Sequence, residues 1–405
     1  VERDFTNMEI TGLNFVRTHF HFHQDIYPAP GVFNSQAIAN IKDFMQRAQN
    51  HGLKVKLSTG GLPNWMWEKF TRDYGGARQV AELWCNYEYQ KFYADWLVNL
   101  LNQVIGDYEA LFAIDFASEP SFAERLDPDG DGDFSDDFYE SLTAGTNWRG
   151  WQMSNAVLRA WNRWVNEEYA GLENAYTAWA YQGPDDTNKI VYPEIMDHYL
   201  CDGPWRKKID DYYRFITDRF QQTTKYVKNR IRNETSSHVL ITSDISAGGA
   251  PAEGWSPADP EWAGTDRHNV LFLCGYVKQV CAECDFIALH IYDRYDLWAQ
   301  TPQEDDWWRS KRIKLFALGA DKPVTLSEYG YRSEYENGLE RQRKLHQKSM
   351  EIAAEANLDG CHGWDWIEPL YGSPDTFAIT YNDTAAKPAY YELAQKKTPL
   401  LIADE

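Results

Sequence analysis

The chain contains no apolar run long enough to cross a bilayer, and its first residues carry no charged segment followed by an apolar stretch. Neither a membrane-spanning helix nor a signal peptide is expected in it. Positive charge is scarce: 40 Lys and Arg stand against 61 Asp and Glu, a formal net charge of −21. A surface for polyanions needs clustered cations, so a nucleic-acid partner is not expected. Cysteine is rare too, six in 405 residues, which excludes a disulfide scaffold. Cys281 and Cys284 form a Cys-x-x-Cys close to Cys274, but no fourth zinc ligand sits at an obvious spacing. Buried thiols are the first expectation there, ahead of a disulfide or a metal. No internal repeat and no low-complexity linker marks a second domain.

Aromatic residues, by contrast, are abundant at 15%, with 17 Trp and 25 Tyr. Flat amphipathic rings suit the apolar faces of sugars, although a large aromatic core uses the same residues. Short apolar runs alternate with longer segments of helical period, the pattern of repeated βα units around a parallel sheet. Strands are expected at 13–19, 53–57, 111–116, 238–242, 286–290, 323–326 and 360–364. Ile38, Ile41, Phe44 and Ala48 place a helix after the first, closed by His51-Gly52. A second helix runs through 90–104, and a last one lies near 388–395. Seven strands can be read where a closed (β/α)8 barrel has eight, because the residues before Leu13 look like the end of a helix. The first strand of such a barrel would precede Val1 or be atypical. Residues 121–237, with helical stretches at 157–179 and 209–232, read as an insertion in the loop after the fourth strand of one catalytic domain spanning 1–405.

In a parallel barrel the C-terminal strand ends converge on one pocket. Here they carry Arg17 and His19, then Ser118-Glu119, His290-Ile291-Tyr292, Glu328 and Trp364-Asp365-Trp366. Breaking a glycosidic bond with retention needs one carboxyl group to protonate the leaving oxygen and one carboxylate to attack the anomeric carbon. Glu119 and Glu328, distant in sequence, would face each other across the barrel mouth. Trp65, with Trp67, follows the second strand and could stack on a sugar. His19, His21 and His23 alternate and read as a rim of hydrogen-bonding imidazoles rather than a zinc site.

The order of these strand ends resembles clan A of the glycoside hydrolases, the retaining β-glycosidases built on a (β/α)8 TIM barrel. The resemblance implies that Glu119 is the acid/base and Glu328 the nucleophile. It also implies substrate contacts from Arg17, His19, Ser118, His290, Tyr292, Trp364, Trp366 and Trp65. The pair His290 and Tyr292 is similar to a feature of family 5. The segments 164–169, 174–179, 211–215 and 62–66 are similar to family 42 β-galactosidases. The departure is Ser118, which stands where the clan usually has an Asn that holds the sugar 2-hydroxyl.

Asp127, Asp129, Asp131, Gly132 and Phe134 match an EF-hand-type calcium loop, and Asp133 and Asp136 lie within it. Position 12 is Phe138 instead of Glu, so neighbouring carboxylates would complete the shell of a structural calcium. No cofactor is expected for catalysis. The expectation is thus a secreted or periplasmic hydrolase of β-linked oligo- or polysaccharides. It would act within mannan- or glucan-type chains, or from the end like a β-galactosidase. The alternative is a non-catalytic carbohydrate-binding protein on a degenerate hydrolase barrel.

Overall fold

The computed structural model describes residues 1–19, 25–59, 65–66, 85–105, 107–118, 124–125, 151–152, 155–180, 206–246, 280–290, 321–330, 333, 338–363 and 387. A helix, α1 (Glu2–Ile10), comes first and buries Phe5 and Met8. This is the helical segment expected ahead of Leu13. It leads into β1 (Phe15–His19), then α2 (Ser35–Asn50) and β2 (Lys54–Ser58). The amphipathic reading of α2 holds: Ile41, Met45 and Ala48 are buried, and full burial of a side chain such as Met45 contributes about 1.5–3 kcal/mol. The Asn34 side chain caps its start by accepting from the Gln36 and Ala37 amides.

The helix stops because Gly52 takes φ +68°, letting its N–H reach the Gln49 carbonyl and the Leu53 N–H reach that of Ala48. Only the backbone resists a side chain here, since the space around Gly52 is open. Gly52→Ala is therefore expected to cost about 1 kcal/mol in urea unfolding; an unchanged midpoint would show that the left-handed turn is not required.

Helix α3 (Tyr87–Leu100) continues into a π-helical turn (Leu101–Ile105) and then β3 (Leu111–Asp115). Two short strands, β4 (Glu124–Arg125) and β5 (Trp151–Gln152), pair antiparallel outside the main sheets. Next come α4 (Asn155–Tyr169), α5 (Leu172–Ala178) and the long α6 (Arg206–Glu234). The remaining strands are β6 (Leu240–Thr242), β7 (Asp244–Ser246), β8 (Ile287–His290), β9 (Val324–Tyr329) and β10 (Gly360–Gly363), with α7 (Gly338–Glu355) between the last two.

The strands form two four-stranded parallel sheets, ordered β1-β2-β3-β6 and β10-β9-β8-β7. Only Ser243 separates β6 from β7, so residues 240–246 join the two sheets into one parallel array. The array curls: the Phe15 ring on β1 stacks on His362 of β10 with centroids 4.4 Å apart. Among the described residues β1 and β10 share no ladder, so the array is open there, and the closed eight-stranded ring expected from the sequence is not shown.

Although β3 and β6 are adjacent, residues 116–239 lie between them in the chain. Within that stretch α6 packs along α3, with Gln90 bonded to Thr223 and Arg230 paired with Asp95. Upstream, α4, α5 and α6 enclose Trp161, which stacks between Trp164 and Trp179. The buried carboxylate of Asp211 accepts from the indole N–H of Trp179 and from the Tyr169 hydroxyl. Three of the segments similar to family 42, 164–169, 174–179 and 211–215, thus contribute to a local aromatic core.

Cys281 and Cys284 are buried free thiols, as expected first, at a single 3-10 turn whose carbonyls are capped by the Lys322 ammonium. Cys274 and the expected helix at 388–395 lie outside the described residues.

Candidate active site

Along a strand, alternate side chains face the inside of the curl. Near the C-terminal ends of successive strands those inward positions are polar: Arg17 on β1, Lys56 and Ser58 on β2, Asp115 on β3, Asp244 on β7 and His290 on β8. Strand β9 adds two, Ser327 and Glu328, which as neighbours should point to opposite faces. They do not, because β9 carries an extra residue relative to both partners. Leu289 pairs with Leu326 but His290 with Glu328, and Cys361 pairs with Leu326 but Gly363 with Tyr329. This bulge turns both side chains inward. Tyr329 then faces outward, its ring 5.1 Å from that of His346 on α7.

The charges interlock. Arg17 Nη1 donates to Glu328 Oε1 and, at 3.0 Å, to His19 Nε2. Its Nη2 donates to Asp115 Oδ2 at 3.2 Å, to Ser58 Oγ at 3.3 Å and to Ser118 Oγ at 3.0 Å. Its Nε lies 2.8 Å from Asp244 Oδ2. The Lys56 ammonium, fully buried, donates to both oxygens of Asp244 at 2.6 and 2.7 Å and to Ser327 Oγ. His290 completes the set, with Nε2 3.1 Å from Asp244 Oδ2 and Nδ1 3.3 Å from Glu328 Oε2. Glu328 is therefore gripped by a cation on one oxygen and an imidazole on the other, while 8% of the residue remains exposed.

Burial sets the protonation pattern. It disfavours the charge on Arg17, but Asp244, Asp115 and Glu328 outweigh it and push the guanidinium pKa up. Burial pushes Lys56 down, against the pull of Asp244 and Asp115. The two aspartates separate. Burial and the charge of Asp244 raise Asp115, whereas for Asp244 burial is overcome by Lys56, His290 and Arg17, which hold it well below the ordinary carboxylate value.

A depressed carboxyl pKa contributes stability that is present above the unfolded-state value, about 3.9, and lost as pH falls through the folded-state value. Asp115, raised, acts in the opposite sense. Below about pH 4 the unfolding free energy should fall more steeply with acidification in the wild type than in Asp244→Asn. Equal slopes in denaturant titrations would show that the cluster does not hold this charge.

Of the residues singled out in the sequence, Arg17, His19, Ser118, His290 and Glu328 converge in this cluster. Trp65 is half-buried; its indole N–H donates to the Tyr27 carbonyl and its ring packs against Tyr27 and Phe92. Glu119, Tyr292, Trp364, Trp366 and the aspartates at 127, 129, 131, 133 and 136 lie outside the described residues. Sequence reasoning missed Lys56, Asp115 and Asp244. Their signal was a polar residue at the same height on strand after strand, which a single strand cannot display.

No protein-family model and no curated protein matches the chain. Solved structures do. A β-galactosidase from the psychrophilic Marinomonas ef1 superimposes with a TM-score of 0.63 at 13% identity, over 98% of this chain and 56% of its own. The catalytic domain of a β-amylase from Paenibacillus polymyxa gives 0.64 at 12% identity, over 98% and 94%. An endo-β-1,4-mannanase from Thermotoga petrophila gives 0.56 at 14% identity, over 100% and 75%. The chain shares its fold with these enzymes. The chain spans little more than half the length of the β-galactosidases it matches.

Proposed function

We propose that the chain is a retaining glycoside hydrolase of β-linked glycans, with Glu328 as nucleophile and Glu119 as acid/base. The observation that carries this reading is the Glu328 carboxylate. It is turned inward by a bulge at a strand's C-terminal end and held by Arg17 on one oxygen and His290 on the other, in a fold shared with glycoside hydrolases. A nucleophile must be aimed, and here a guanidinium fixes one carboxylate oxygen and an imidazole the other.

Ser118 accepts from the same guanidinium, and Glu119 is the next residue in the chain. Glu119 would protonate the leaving oxygen and later deprotonate the water that releases the sugar. The reading carries with it a single (β/α)8 domain over 1–405 with 121–237 as an insertion. It also includes sugar contacts from Tyr292, Trp364 and Trp366, a structural calcium at Asp127–Asp136, and a secreted or periplasmic site of action suited to a glycan substrate.

Two substrate modes remain within it, endo-cleavage of mannan- or glucan-type chains and exo-cleavage like a β-galactosidase. Incubation with β-mannan, β-glucan, β-galactan and aryl β-glycosides, with the anomer of the first product read by NMR, tests the reading. A β-configured first product is expected. An α-configured product overturns retention, and binding to these glycans without any turnover favours the non-catalytic alternative.

A further inference from the structure

Asp244 is fully buried, so no substrate group touches it. Yet it meets both side chains that hold Glu328. From Asp244 Oδ2 the path runs 2.8 Å to Arg17 Nε, and from that guanidinium's Nη1 to Glu328 Oε1. The other path runs 3.1 Å to His290 Nε2, and from Nδ1 3.3 Å to Glu328 Oε2. The four side chains close a ring. Lys56, bonded to both Asp244 oxygens, and Ser327, 3.2 Å from Oδ2, fix Asp244 within it.

An ionised carboxylate only accepts hydrogen bonds, so the His290 nitrogen facing Asp244 must carry a proton. The second ring nitrogen then faces Glu328, which also only accepts when ionised. That contact is favourable only while one more proton sits between them, on Nδ1 or on Oε2.

We propose that Asp244 is a positioning residue for Glu328, turning the Nε2 proton of His290 inward and the guanidinium edge of Arg17 outward, so that one proton is kept at the contact of His290 Nδ1 with Glu328 Oε2 in the free enzyme. The proposal rests on Glu328 being the nucleophile. It gives Asp244 a role that burial of a carboxylate for stability alone would not need. With the proton on Nδ1, Glu328 attacks as a carboxylate between two cations. Once that proton is lost, the imidazole lone pair faces the carboxylate and the grip on Oε2 fails.

Among the described residues, the charged and titratable groups around this cluster are Arg17 and His19 from β1, Lys56 from β2, Asp115 from β3, Asp244 from β7 and His362 from β10. His362 is neutral, since burial and then Lys56 press it down to about 3. Removing the Asp244 charge leaves two cations against Asp115, so the proton should depart at lower pH.

Inactivation by 2-deoxy-2-fluoro-β-D-mannosyl, glucosyl and galactosyl fluorides tests this, because fluoride leaves without an acid and the pH profile then reports the Glu328 side alone. In the wild type, mass spectrometry should find the label on Glu328. In Asp244→Asn the labelling rate at pH 7 should fall about 10- to 100-fold, with the alkaline limb moved down by about one pH unit. With aryl glycosides the loss should appear in kcat more than in KM. An unchanged rate and limb in a variant of normal Tm overturns the proposal.

If the uncompensated Lys56 unfolds that variant, the Lys56→Met/Asp244→Asn double variant removes the buried pair together; the labelling rate should fall likewise, while the alkaline limb moves less because Arg17 alone then stands against Asp115. ¹⁵N shifts of His290 in the wild type give a readout free of substitution, and an unprotonated Nε2 at pH 7 also overturns it. Should the wild type carry its label on another residue, the assignment of Glu328 fails and the proposal with it. A Glu328 label with unaltered Asp244 variants sinks the proposal alone.

Discussion

Glu328→Gln should lower turnover of aryl β-glycosides on the order of 10⁴-fold or more, the scale seen when a member of a nucleophilic machinery is removed. The amide matches the carboxylate in size and can still accept from Arg17, so the fold should survive; what it cannot do is attack the anomeric carbon. The loss should therefore appear in kcat, with substrate binding measured by calorimetry largely kept and Tm within a few degrees of the wild type. Glu328 has room for this: 8% of the residue stays exposed, unlike Asp244 and Asp115 at 0%. Near-wild-type turnover by a correctly folded Glu328→Gln would remove the residue from the nucleophile role. The matching test on the other carboxyl is a small-residue variant at Glu119. With an activated substrate and azide, this variant should form a β-glycosyl azide if Glu119 is the acid/base.

Arg17→Met should act on stability and activity together. One guanidinium, 5% exposed, serves Glu328, Asp115 and Asp244 at once. Replacing a buried cation by a thioether leaves carboxylates that burial alone makes costly. The expected loss is about 3–5 kcal/mol of unfolding free energy, the usual consequence of breaking a buried pair by removing one partner. Activity should fall by about 10²- to 10³-fold, because a charged donor fixed against the proposed nucleophile is lost. Arg17→Lys should restore part of the stability and less of the activity, since a single ammonium cannot reproduce a planar fork that serves three acceptors. If Arg17→Met unfolds at the wild-type urea concentration, the network is not holding the array together.

These two residues were visible in the sequence because each lies at a strand end, where the pattern of short apolar runs breaks into polar residues. The same holds for His290 and Ser118. Helix α2 and its stop were legible for a local reason: periodic apolar residues and a His-Gly pair are written within one stretch of chain. Strand β9 was underread. Its apolar run suggested an end at Leu326, yet the strand extends to Tyr329, and the bulge that turns Glu328 inward follows from pairing with β8 and β10 rather than from its own residues. Lys56 shows the same limit. The strand at 53–57 was expected, but nothing in its own residues marks Lys56 as interior; the curl of the sheet does, and Lys56 is fully buried against Asp244.

By itself, then, the sequence determined the βα order, the stop of α2, and the kinds of residue at the strand ends, since propensity and periodicity act over a few neighbouring residues. Tertiary structure alone decided which charges meet. Residues 17, 56, 115, 244, 290 and 328 are scattered along the chain, and only the curling of the parallel array brings them within hydrogen-bond reach. In that low-dielectric interior Coulomb interactions are strong enough to separate the pKa values of two aspartates, and no local pattern of residues encodes such a meeting.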